Sequence, residues 1–383
     1  LHSSGKESTG SKRRRFLSHL NNSGIQVVQR HIDTGGVWSR GISLVREEDM
    51  QRAILFAILF LMLSLHPLST HAEVSHPCSA NVGYGPINLR GQSPFQMLHL
   101  SLTPSAPSTL SAGNWEGQFL MTWMNRWAVS EGQYFIDNET LRTALRLKYG
   151  LMERLQIGIE VPVLWRGGGI MDGTIDWFHK TFGLDRARRD EFPKNRFHVE
   201  FHPKDGSTFV LNDAGVGLQD MVVSSQATLT CGGILWPAVA LGLSASLPTG
   251  QEEKLFGSGG VDLNLSLLLA KRISNFYIYL NGGYTMIGTE QIGGVALKEN
   301  QWTIFSGIEY RLWRKTSLIL QNLINSAVAQ DFFEFSKYTD EITWGIKSEV
   351  SSGWVLEFSL VENIINFQNS PDFGLHSAIS VRF

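Results

Sequence analysis

From Trp115 to the C-terminus the chain alternates apolar and polar residues with a period of two. That period belongs to β-strands, whose successive side chains point to opposite faces. In 155–165, Leu155, Ile157, Ile159, Val161, Val163 and Trp165 share one face, and Gln156, Gly158, Glu160 and Pro162 the other. In 261–270, Val261, Leu263, Leu265, Leu267 and Leu269 stand against Asp262, Asn264 and Ser266. Twelve such runs are read, at about 115–127, 140–150, 155–165, 218–230, 236–248, 260–271, 276–287, 301–311, 316–325, 341–349, 354–362 and 373–383. Most have the ~9–11 residues of a tilted strand crossing a bilayer, or slightly more. Run 316–325 has the least defined faces, because Gln321 and Asn322 compete for the inside.

A soluble sandwich also alternates. Three features point instead to an all-β, transmembrane, antiparallel up-and-down barrel of about 12 strands. Connections alternate short (151–154, 231–235, 272–275, 312–315, 350–353) and long (128–139, 166–217, 249–259, 288–300, 326–340, 363–372). That is the asymmetry of periplasmic turns and outer loops. Aromatics gather at both ends of the apolar face: Trp115, Tyr149, Phe276, Tyr310, Trp354 and Phe383 at one, Trp127, Trp165 and Trp302 at the other. Two belts match a membrane with two interfaces. The polar face is small and mixed, and backbone satisfaction in lipid requires closure. Composition agrees: charged residues are 18%, below the ~25% of soluble domains. A net charge of −2 implies no nucleic-acid partner.

Residues 50–72 read as a secretory signal peptide. Arg52 precedes an apolar run, Ala53 to Leu65, interrupted only by Ser64 and too short to span a bilayer. Thr70 and Ala72 place small residues for cleavage after Ala72. His76-Pro77 before Cys78 is no lipobox. Residues 1–49, polar and basic, are expected to be a non-native or disordered extension ahead of a start at Met50. Residues 73–112, with Pro86, Pro94, Pro104 and Pro107, suit a periplasmic lead or a lumen plug, and 113–383 the barrel.

The last strand carries Phe373, Leu375, Ile379, Val381 and terminal Phe383 on one face. It resembles the C-terminal signature that the barrel assembly machinery of Gram-negative bacteria reads. Gly85-Pro86-Ile87 through Phe95, the loop 176–195 and the ALGLSASLPTG segment (240–250) together resemble an uncharacterised bacterial outer-membrane family, domain of unknown function 3187. The resemblance covers most of 80–383 and implies fold and location, with no established activity. LPTG before a long loop is shared with hydrophobic-compound transporters.

Lumen-lining candidates are Arg142, Arg146 and Lys148 on one strand, Glu160 on the next, and Lys347 opposite Glu357. A turn centred near residue 152 places Ala144 opposite Glu160, with Arg142 and Arg146 diagonal to it. Charges in a narrow barrel serve as cross-links or as a selectivity ring. In loop 166–217, Ile175, Phe178 and Phe182 suggest an amphipathic helix at about 172–183, and 197–211 a hairpin turning at Asp205-Gly206. Asp172, Asp176, His179 and Arg186 are its binding candidates. His198 and His202 on a strand stand too far apart for one metal ion. No metal and no cofactor are expected. His376 and Ser377 point to opposite faces, so no nucleophile–base pair and no enzyme is expected. Cys78 and Cys231, both facing an oxidising compartment, are expected to pair.

The reading is a narrow or gated outer-membrane channel for a small solute, leaning toward an apolar one. The alternatives are a non-conducting barrel whose 166–217 loop binds a partner or lipopolysaccharide, and a lipid-modifying enzyme. Oligomeric state is left open. The secreted form is expected to begin at Glu73; an intact mass retaining Arg13–Arg15 overturns this.

Overall fold

The computed structural model describes residues 78, 81–183, 187–365 and 367–383. The expected extension 1–49, the signal peptide 50–72 and Arg186 lie outside the described residues. In chain order the strands are β1 (Trp115–Ser130), β2 (Tyr134–Met152), β3 (Leu155–Gly167), β4 (His198–Phe201), β5 (Phe209–Leu211), β6 (Gly215–Leu218), β7 (Met221–Thr230), β8 (Ala238–Leu247), β9 (Leu263–Ile273), β10 (Phe276–Met286), β11 (Gln291–Ile292), β12 (Val295–Ala296), β13 (Asn300–Trp313), β14 (Thr316–Asn325), β15 (Thr339–Ser351), β16 (Trp354–Ile365) and β17 (Phe373–Arg382). One helix, α1 (Asp172–Phe182), follows β3.

Twelve long strands (β1–β3, β7–β10 and β13–β17) pair with their chain neighbours, all antiparallel. The ring closes where β17 meets β1, from Glu116 opposite Arg382 to Asn125 opposite Phe373. Trp115 and Phe383 exchange two backbone hydrogen bonds at the foot of this seam, 2.7 and 3.0 Å. The outward residues are large, apolar and exposed: Leu145, Leu265, Ile304 and Phe358 are among them. Such a surface is unsuited to water and is what lipid requires. Trp115 stacks beside Tyr149 and Phe276 beside Tyr310 at the short-turn end, with ring centroids 4.5 and 4.9 Å apart. The molecule is thus an outer-membrane β-barrel of twelve strands, with short turns to the periplasm and long loops outside.

The β1–β2 connection is not a long loop at 128–139. Both strands continue past the bilayer, and only 131–133 turn. Above the lipid the outward side chains need not be apolar, so Asp137 and Glu139 break the alternation while the ladder persists. The β2–β3 register places Arg146, not Ala144, opposite Glu160. A bulge between Gly150 and Met152 shifts the pairing. On β14, Gln321 lies inside, whereas Asn322 turns outward and donates to Asp340.

The core of the molecule is the lumen itself. Residues 81–112 form a strap that climbs to the outer end, turns through a short 3-10 helix (Gln96–Leu98) and descends to β1. At its summit Phe95 packs on Phe201, Phe332 and Phe335, with centroids 5.4–5.9 Å apart. These rings, with Tyr134, Leu98 and Val295, seal the barrel beneath its outer loops.

The descending limb leaves across Gly150, which exchanges backbone hydrogen bonds with Gly113 and Asn114. A Cβ at Gly150 would run into the Ser111 carbonyl. Gly150→Val is expected to speed amide exchange across 108–112 while heat-modifiable migration of the barrel persists. Unchanged exchange would show that this crossing does not hold the limb.

Candidate functional site

The strap has almost no regular structure, so its backbone cannot satisfy itself, and buried N–H and C=O groups need partners. The lumen side chains supply them. Tyr84 and Gly85 donate their N–H groups to Glu309, both at 3.1 Å. Ile87 donates to Gln321 (2.9 Å), Gln92 to Glu341 (2.7 Å), Leu100 to Asp262 (2.9 Å) and Leu110 to Gln156 (3.0 Å). Strap carbonyls are capped in turn: Pro86 by Lys347 (2.6 Å), Gln92 by Arg126 (2.8 and 2.9 Å), and Ala106 and Ser108 by Gln226 (3.0 Å each). Cys78 and Cys231 form a disulfide, Cα atoms 4.8 Å apart, fixing the start of the strap to the β7–β8 turn.

Beside the strap, the predicted lumen residues form linked ion pairs. Glu160 accepts Arg142 on one oxygen and Arg146 on the other, the latter through Nε at 2.8 Å. Arg146 also reaches Gln118 and the strap's Asn88, at 3.1 and 3.2 Å. Lys148 and Arg382 share Glu116, at 2.9 and 2.6 Å. Lys347 pairs with Glu357 at 2.8 Å and stands directly opposite it. Glu357 further meets His376 (3.0 Å), whose Nδ1 meets Thr122 (2.8 Å). This row of hydroxyl, imidazole and carboxylate is buried, and the space beside Thr122 and His376 measures about 10 Å³. Ser377 faces the opposite way, paired with Phe358 and Met121. Larger cavities of about 90 and 70 Å³ flank the strap lower down, and one of about 40 Å³ lies under the aromatic cap.

The loop candidates do not converge on a pocket. Asp172, buried at the start of α1, accepts Asn125 and Arg189 at 3.0 Å each and the Asn195 N–H at 2.8 Å. Arg189 also pairs with Asp372, whose carboxyl burial pushes up while that guanidinium pulls it down. Asp176 pairs with Lys194 at the surface (2.6 Å). The His179 ring lies beside Phe178. The expected apolar stripe is only partly used: Ile175 is buried, but Phe178 and Phe182 are exposed, as are Ile170 and Trp177. Asp172 explains this, because the buried ion pair with Arg189 and the hydrogen bonds to Asn125 and Asn195 on its side anchor the helix. β4 and β5 form the expected hairpin, turning at Asp205-Gly206 with Gly206 at φ +82°. His198 and His202 both contact the Glu200 carboxylate (2.8 and 2.7 Å), and the His198 bond helps hold it below the usual carboxylate range. Among the described residues no group of three or more His, Cys, Asp or Glu side chains could hold a metal ion. In β17, Phe373, Leu375, Ile379 and Val381 alternate with buried Gly374 and His376 and with Ala378 and Ser380, which line the lumen.

Sequence reasoning does not single out Arg90, Arg126 or Arg166, three buried guanidiniums of the lumen and its cap. Arg126 is tied to Gln92 and Thr140, and Arg166 lies over the Phe256 ring at 4.1 Å. The available signal was their lumen parity on β1 and β3; Arg90, on the strap, has no periodicity to place it. Removing the shared acid of the central cluster isolates two guanidiniums. Glu160→Gln is expected to cost about 3–5 kcal/mol, as for other broken buried pairs, and to lower the urea midpoint of the barrel in vesicles. An unchanged midpoint would show that Glu160 is solvated.

The crystal structure of the COG4313 outer membrane channel from Pseudomonas putida F1 is similar, with a TM-score of 0.51 and 12% identity over 74% of this chain and 100% of that one. The NanC porin is more distant: TM-score 0.40, 9% identity, 70% of this chain and 99% of that one. The toluene transporter TbuX of Ralstonia pickettii gives 0.33 and 10% identity, over 71% and 90%. At 12% identity the likeness to the COG4313 channel is one of fold alone. No curated protein matches the chain. The match to the family described as protein of unknown function (DUF3187) covers residues 62–383, and the chain belongs to that family.

Proposed function

We propose that the barrel is a gated channel for a small solute, and that the strap is its gate. The observation that supports this reading is how the strap is held. A permanent filling would be expected to join the barrel through a strand ladder or a continuous apolar core. Here the apolar contacts of the strap fall in three separate clusters, around Phe95, Leu102 and Ile87, and between them it is held by single side-chain hydrogen bonds to Glu309, Gln321, Glu341, Asp262 and Gln156. Each is worth about 0.5–3 kcal/mol net, and each can be exchanged for water without disturbing the wall. A cavity of about 70 Å³ with a mainly polar lining and one of about 90 Å³ with a mixed lining already flank the strap. The lining favours a polar solute over the apolar one that the LPTG resemblance suggested.

A second reading has its own observation. Ile170, Trp177, Phe178 and Phe182 stand exposed on and before α1, near exposed Lys180 and the Asp176–Lys194 pair. Apolar rings beside ammonium groups suit the acyl and phosphate layer of lipopolysaccharide. We infer lipopolysaccharide as the partner of this helix, and the assembly machinery as the reader of β17. We read the barrel as non-enzymatic, because the Thr122–His376–Glu357 row has no room for a substrate.

Planar-bilayer conductance of the mature chain tests the gate, with and without a reductant on the Cys78 side, alongside a variant lacking 167–215. Steps that appear or lengthen on reduction are the expected result. Steps only in the loop-deleted form would move the gate to the loop. Silence in all three, with folding verified by heat-modifiable migration, overturns the channel reading.

A further inference from the structure

Among the described residues Arg90, Arg126 and Arg166 are buried without an ion pair, but Arg126 is tied to Gln92 and Thr140 and Arg166 lies over aromatic rings, whereas the Arg90 guanidinium has neither. It lies on the ascending limb, 8% exposed, with Nε buried and without a hydrogen-bond partner. No ion pair joins its guanidinium among the described residues. The charges acting on it are those of Arg142, Arg146, Glu160 and Asp220. Neither acid is available. Glu160 is shared between Arg142 and Arg146. Asp220 accepts the Gly250 N–H on one oxygen (2.9 Å), and the Ser258 N–H and hydroxyl on the other (2.7 and 2.9 Å). Three guanidiniums therefore surround one carboxylate in an enclosed space, where unpaired charge is costly.

The cavity of about 90 Å³ opens against Arg90. Arg146, Lys148 and the already paired Glu160 form other parts of its wall, with short polar side chains such as Ser244, Ser266 and Asn264 and apolar ones such as Leu102 and Leu268. Gly158 and Gly242 widen it by carrying no side chain. A space of this size holds a few water molecules or one small anion.

We propose that this cavity is a binding site for a small oxyanion, a carboxylate, phosphate or sulfate group, gripped by Arg90 with Arg146 beside it. The guanidinium fork matches two oxygens of such a group. Hydroxyl and amide donors of the wall serve the remaining oxygens. The bound anion brings the charge that Glu160 and Asp220 cannot. Binding does not require the strap to move. Only the role of the site as a station on a solute's path rests on the channel reading.

Equilibrium dialysis of the full chain, purified from outer membranes, tests this with radiolabelled phosphate, sulfate and acetate at constant chloride. The three arms separate the anion classes. One saturable site per barrel is expected for at least one of them. Arg90→Gln is expected to weaken it about 10- to 100-fold, the loss typical of a charged hydrogen bond, with Arg90→Lys between the two. Arg188→Gln, at the outer surface, should leave it unchanged. Should Arg90→Gln not fold, amide exchange of the native chain decides: the bound anion is expected to slow exchange at 88–92 and 103–105. No saturable binding of any of the three to the folded native chain overturns the proposal, as does binding unchanged in folded Arg90→Gln. A silent bilayer leaves the site standing, and a conducting barrel without saturable binding sinks only the site.

Discussion

An irregular backbone inside a membrane barrel must find a hydrogen-bond partner for nearly every N–H and C=O it buries. The strap meets that requirement with side chains of the wall, and much of the lumen follows from it. Glu309 shows the pattern. It lies inside β13, accepts two strap N–H groups, and is itself steadied by Tyr279 and Ser317 at 2.8 and 2.7 Å. Gln156, Gln226, Gln321 and Glu341 do the same work on four other strands. A polar inner face therefore need not mean water; here much of it substitutes for the neighbouring strand that the strap lacks.

The same requirement orders the charges. Cations of β2 and β17 meet acids of β1 and β3 across adjacent strands, two to each acid: Arg142 and Arg146 share Glu160, and Lys148 and Arg382 share Glu116. The strap then adds Arg90 beside a carboxylate that two guanidiniums already share, which enlarges the positive excess.

The sequence was most legible where lipid imposes a rule on every second residue. Leu263, Leu265, Leu267 and Leu269 could face only outward, so strands, parity and closure followed from pattern. Legibility stopped where the lipid stops. Residues 135–139 pair in a ladder above the bilayer, but nothing requires them to be apolar, and they read as loop. The β2–β3 register turned on a bulge at Gly150, which has no signature in alternation. Asp172 was legible as polar but not as the buried anchor of α1, because its partners Asn125 and Arg189 lie far along the chain or across a loop. The strap's partners are likewise scattered over more than 200 positions, as in Gly85 with Glu309. Its composition suggested a plug, but not how the plug is held.

The disulfide gives the strap an unusual mechanical status. One end is bonded to the β7–β8 turn, and the other continues into β1 at the closing seam. A segment anchored at both ends of its run, both on the periplasmic rim, can swing or flatten but cannot be expelled. A passing solute would share the shaft with the strap instead of replacing it. The usable bore is then set by the cross-section the strap can vacate against one wall, and by no measure of the empty cylinder.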